Sequence, residues 1–123
     1  LIEPPMNNSP NRPLTLVQYR TALEMCAAKE IDFILPGHGE VVYNHRELIF
    51  YRLKKNWERT SALRNFLSDG KKSAYELTTL LFPEIYRKEL PLTFSETLGH
   101  LDLLSLLGQV EYTKQDGIIY YSL

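Results

Sequence analysis

Val110-Glu111-Tyr112-Thr113-Lys114-Gln115-Asp116-Gly117-Ile118-Ile119-Tyr120-Tyr121 is the stretch that decides how this 123-residue chain is read. Val110-Glu111-Tyr112 and Ile118-Ile119-Tyr120-Tyr121 are strand-forming runs. Between them Asp116-Gly117 supplies the dipeptide that tolerates two consecutive positive φ angles, so the segment predicts a β-hairpin. Working back from it, Thr93-x-x-Glu96 has the pattern of a capping box and predicts a helix running to Gly108. Ser73-x-x-Glu76 is a second such pattern. It opens a helix expected to bury Tyr75, Leu77, Leu80, Leu81 and Phe82 before Pro83 stops it. Residues 45–68 carry the longest helical periodicity, with Ile49, Leu53, Trp57, Leu63 and Phe66/Leu67 as the apolar stripe, closed by Asp69-Gly70. Long helix, short helix, helix and hairpin, in that order, make a winged-helix arrangement over residues 45–123. The fold class is therefore mainly α with a small β-hairpin.

A winged helix raises the question of DNA. The helix in the recognition position, residues 93–107, contains no Lys or Arg, and its two charges, Glu96 and Asp102, are negative. A helix entering the major groove needs cations for phosphates and Arg, Lys, Asn or Gln for base edges. Sequence-specific DNA binding is not expected. The same helix is apolar nearly all round: Phe94, Leu98 and Leu101 lie on one side, Leu103 and Leu106 roughly opposite. Its second side is expected to meet another domain or a second copy of the chain, unless Leu103 and Leu106 are simply scattered surface leucines.

Composition sets further bounds. The length is that of one domain; 44% of residues are apolar and the formal net charge is −1. One cysteine excludes a disulfide framework and any multi-cysteine zinc site. Cys26 (or Ala27) completes the apolar stripe of a helix predicted over 15–29, with Leu16, Tyr19 and Leu23, where a small packed thiol is expected rather than a nucleophile. No apolar run approaches a membrane span, and Leu1-Ile2-Glu3-Pro4-Pro5 has neither the basic start nor the apolar stretch of a signal peptide. A cytoplasmic location is expected, and the Pro- and Asn-rich residues 1–13 read as loop at the head of a piece of a longer protein. Charge is uneven: residues 42–72 hold 8 basic and 3 acidic side chains, whereas 73–123 hold 3 and 7. The basic middle reads as a solvated helix face ahead of a patch for anionic ligands.

The segment with the look of chemistry is Leu35-Pro36-Gly37-His38-Gly39. Asp32-Phe33-Ile34-Leu35 predicts a short buried strand that ends at this turn, and Val41-Val42-Tyr43 predicts another brief extended piece. A His between two glycines sits on tight, accessible backbone and offers a neutral nitrogen donor. A lone His in a turn is, on its own, more often a turn residue than a ligand. His45 and His100 have no motif around them, and spacing alone assembles no metal site inside the chain.

Residues 31–42, centred on Phe33-Ile34-Leu35-Pro36-Gly37-His38-Gly39, resemble the final metal-ligand motif of the metallo-β-lactamase superfamily, whose αβ/βα hydrolase domain that motif closes. Residues 15–30 look like the helix just before it. Arg64 to Leu67, Ser73-Ala74-Tyr75-Glu76-Leu77, Leu81-Phe82-Pro83 and Glu96 to Leu101 with Leu104, Gly108 and Val110 are similar to the winged-helix tail of a subgroup that includes the β-lactamase-like protein 2 type. The resemblance implies two pieces: residues 1–44 as the C-terminal remnant of a hydrolase domain, and 45–123 as a winged-helix domain. It implies a two-metal, usually zinc, hydrolase as the parent, with water activated by the metal. Only His38 carries over, as the last ligand of the second metal; the His-x-His-x-Asp-His motif, a further His and the bridging Asp are absent from residues 1–123 and are expected upstream. One ligand does not hold zinc tightly, so the chain alone is expected to be inactive. Its expected partners are the upstream hydrolase domain and a second copy. A thioester, another small ester, a lactone and RNA all remain open as substrates. The alternative is a free-standing winged-helix interaction or nucleic-acid-binding module. Residues 45–123 are expected to hold the autonomous core. A strand at 32–35 without its sheet should drive self-association, or leave helix 15–29 packed near Trp57.

Overall fold

The computed structural model describes residues 14–31, 37, 39, 41 and 43–123. The expected strand at 32–35, Val42, His38 and the loop 1–13 lie outside the described residues. Among the described residues four helices and three short strands follow one another as α1 (Thr15–Ala27), α2 (His45–Phe66), β1 (Lys72–Ser73), α3 (Ala74–Leu81), α4 (Leu90–Leu106), β2 (Glu111–Gln115) and β3 (Ile118–Ser122).

The element ends have local causes. Asn44 caps α2 by accepting from the Glu47 N–H at 3.3 Å. The Ser73/Glu76 box opens α3 with both reciprocal bonds, Glu76 N–H to Ser73 Oγ at 3.2 Å and Ser73 N–H to Glu76 Oε1 at 3.4 Å. Helix α4 departs from expectation, because it starts at Leu90 with Pro91 in its first turn. Proline is pre-set for that position, where its missing N–H costs nothing. Thr93 is therefore already inside the helix, and its hydroxyl donates back to the Glu89 carbonyl at 2.9 Å instead of capping. At the other end Gly108, φ 72°, completes a paired closure: Gln109 N–H to Leu104 O at 2.9 Å and Gly108 N–H to Ser105 O at 3.0 Å. Asp116 and Gly117 take φ of 52° and 81°, the two positive values a type I′ hairpin turn requires.

The hairpin gains a third strand that the sequence does not announce. β1 pairs antiparallel with β3, Lys72 opposite Tyr121 and Ser73 opposite Tyr120, giving the order β1-β3-β2. Leu63, Leu67, Ala74, Leu77, Leu98, Leu101, Leu104, Val110 and Tyr121 form the core between α2, α3, α4 and this sheet. In α3 the buried face is Ala74, Leu77 and Thr78. Tyr75 and Leu80, expected inside, are exposed because they lie about a quarter turn or more off that face. Trp57 is likewise displaced from the α2 stripe and exposed, while Thr60 is fully buried on it and Asn56 partly so.

Helix α1 lies across α2 and α4. Its approach to α4 is set by Gly99, where an added Cβ would come within 2.9 Å of Leu16 Cβ. Leu103, one turn on from Gly99, is buried, whereas Leu106 at the helix end is exposed. The second side of α4 thus meets a helix of the same chain. Cys26 on α1 is half-buried.

Candidate functional site

The sequence singles out the turn Pro36-Gly37-His38-Gly39, and the described elements show how the ends of the segment that carries it are held. The turn lies in the segment between α1 and α2. Helix α1 has no basic residue in its last turn to offset the negative end of its dipole, and the N–H groups just past its end bond Glu24 O and Cys26 O, so a cation and a further donor at Ala27 O come from elsewhere. The start of α2 supplies both. Arg46 donates from Nε to Ala27 O at 2.9 Å and from Nη2 to Lys29 O at 3.2 Å. His45, buried, approaches the same Lys29 O with Nε2 at 3.0 Å. A carbonyl only accepts, so this ring carries a proton on Nε2. The two ends of the segment are fastened to each other by a charged clasp.

Gly37 and Gly39 are both exposed, and a Cβ on either would meet nothing within 4 Å. Space does not require glycine here; backbone does at Gly39, whose φ of 88° is disfavoured for a residue with a side chain. His38, the candidate metal ligand, lies outside the described residues. Among the described residues no group of three or more His, Cys, Asp and Glu side chains is placed to hold a metal ion. The described part of the chain does not fit a metal centre by itself.

A second tie joins α1 to α2. Arg20 donates from Nη1 to Asn56 Oδ1 at 2.7 Å and to Leu53 O at 3.3 Å, with its guanidinium 5.9 Å from the centre of the Trp57 ring. That places α1 in the Trp57 neighbourhood.

The structure also brings together a buried polar cluster that motif reasoning misses. His100 on α4 is fully buried. Its Nδ1 lies 2.7 Å from Thr60 Oγ1 on α2, and Thr60 Oγ1 donates to Asn56 O at 3.2 Å. Its Nε2 makes no hydrogen bond and faces Glu96 Oε1 at 3.6 Å. Glu96 accepts from Arg59, whose guanidinium lies 5.5 Å from the centre of the Phe82 ring. Burial pushes the Glu96 carboxyl up, and His100 and Arg59 beside it outweigh burial and hold it below its ordinary value. The signals in the sequence are the i, i+4 spacing of Glu96 and His100 and a polar Thr60 in phase with the α2 stripe. The cluster contains no activated nucleophile and joins α2 to α4.

Helix α4 contributes nine buried residues and is enclosed by α1, α2 and α3. No helix among the described residues is long and apolar enough to cross a membrane.

Comparison with known proteins places this architecture. No family model matches the chain. It is 34% identical over 106 residues to the probable metallo-hydrolase YqjP of Bacillus subtilis, a match that takes in 86% of this chain and 33% of that protein. Among solved structures it is similar to a β-lactamase domain protein from Burkholderia ambifaria, at TM-score 0.78 and 24% identity over 90% of this chain and 33% of that one. It is similar also to the metallo-β-lactamase family protein TTHA1429 from Thermus thermophilus, at TM-score 0.74 and 26% identity over 91% of this chain and 35% of that one. The chain spans about a third of the length of the relatives it matches.

Proposed function

We propose that this chain is the C-terminal part of a metal-dependent, zinc-using hydrolase of the metallo-β-lactamase superfamily, located in the cytoplasm. The observation that carries the reading is the match of most of the chain to one third of a probable metallo-hydrolase. On this reading His38 is the last ligand of the second metal. The other donors come from the two thirds of the protein outside this chain, where the metal supplies Lewis-acid activation of water. What this chain contributes is position. The His45/Arg46 clasp fixes both ends of the segment bearing His38. The α2–α4 body, a winged-helix tail on this reading, gives that segment a rigid footing and serves as an interdomain contact.

Two measurements test it. The full-length protein should hydrolyse a thioester, another small ester, a lactone or RNA, lose that activity to a chelator and regain it with added zinc; the 123-residue chain should show none. Hydrolysis untouched by chelator, or equal turnover by the 123-residue chain, would overturn the reading.

A further inference from the structure

Strand β2 is an edge strand: β3 occupies one side and no described strand the other. All five of its residues are exposed. Two-residue hairpins close on a hydrogen-bonded pair, here Gln115 and Ile118. Alternation then makes Thr113–Tyr120 and Glu111–Ser122 the other bonded pairs. The N–H and C=O groups of Tyr112 and Lys114 therefore point away from β3, along the open edge.

These exposed groups bond water in the single chain, and a strand whose backbone is in the same phase can replace that water at all four; a second β2 is such a strand. Two copies related by a two-fold axis through Thr113 run antiparallel, and every opposing pair in that register is favourable. Tyr112 faces Lys114, a ring opposite an ammonium, and this occurs twice. Glu111 faces the amide of Gln115, and Thr113 faces Thr113. Tyr112 and Lys114 of each copy exchange both backbone bonds. Moving the axis to Lys114 sets two ammonium groups against each other. Moving it to Tyr112 shortens the pairing and carries Val110, which is buried, into it. Only the Thr113 register uses the whole strand.

We propose that β2 is a self-pairing surface: a second copy of this chain adds its own β2 in the Thr113-centred register and joins the two three-stranded sheets into one of six strands. The occupant is fixed by this complementarity of side chains and backbone phase.

Sedimentation of the 123-residue chain over a concentration series tests the pairing. The expected species at high concentration has twice the monomer mass of 14.3 kDa. Tyr112→Lys places an ammonium opposite Lys114 and should leave a monomer with unchanged circular dichroism. The double variant Tyr112→Lys/Lys114→Glu restores opposite charges at each pair and should recover the dimer, which also guards against misfolding in the single variant. In Cys26→Ala/Thr113→Cys chains, oxidation should cross-link two copies through the introduced thiols, since non-bonded antiparallel pairs bring Cα atoms within disulfide reach. A monomer at every concentration, a dimer that survives Tyr112→Lys, or a dimer not recovered by the double variant overturns the proposal.

Discussion

Gly99 shows how one residue decides a helix contact. It stands mid-helix, where alanine would add about 1 kcal/mol of helix propensity. Its absent Cβ is what admits Leu16 of α1. Overpacking of that kind costs about 1–3 kcal/mol, so Gly99→Ala should destabilise the fold by about 1 kcal/mol net. Hydrogen exchange should show α1 losing protection while α3 keeps its own; equal protection in both would count against the contact. Glu96 makes a second residue-scale prediction. Its carboxyl titrates below its ordinary value of 4.5 in the folded chain. A group so depressed contributes stability above its unfolded pKa and loses it as pH falls through the folded one. Glu96→Gln should therefore be less stable than the parent chain at neutral pH, and the gap should narrow in acid. Urea midpoints at pH 7 and pH 3 check this, and a gap independent of pH would contradict it.

Among the elements, what the sequence discloses is what is local. The hairpin turn needs two adjacent residues, Asp116 and Gly117, and the α3 cap needs Ser73 and Glu76; both form as expected. The start of α4 is misread from sequence because Thr93-x-x-Glu96 imitates a cap, while the true signal is Pro91. β1 is invisible there because two residues carry no periodicity and exist as a strand only through pairing with β3. The exposure of Tyr75, Leu80 and Trp57 follows from helix phase against neighbours the sequence does not place. In the candidate site, His38 is proposed as a ligand on resemblance alone. The clasp is not, since Arg46 meets Ala27 O and Lys29 O only after α1 and α2 have packed. Arg46→Ala removes two charge-assisted bonds at a helix C-terminus and should cost about 1–2 kcal/mol. Exchange rates of amides near residues 26–31 should rise ahead of those in α4. Ser73→Ala should cost about 1 kcal/mol, read from the shift in unfolding midpoint.

On the scale of the whole molecule, the chain is a helical body with a candidate ligand turn in a segment fastened at both ends, and it matches about a third of one probable metallo-hydrolase. One nitrogen donor is too few to retain zinc, so calorimetric titration of the 123-residue chain should give no stoichiometric sub-micromolar site. On the proposed function, His38 completes a metal centre built mostly from the rest of the protein. Metal content per chain of the purified full-length protein, measured beside His38→Ala, tests it most directly. Bound zinc is expected in the parent protein, with a loss of occupancy, together with activity, in the variant. A His38→Ala protein that keeps its full metal complement and turnover would contradict it.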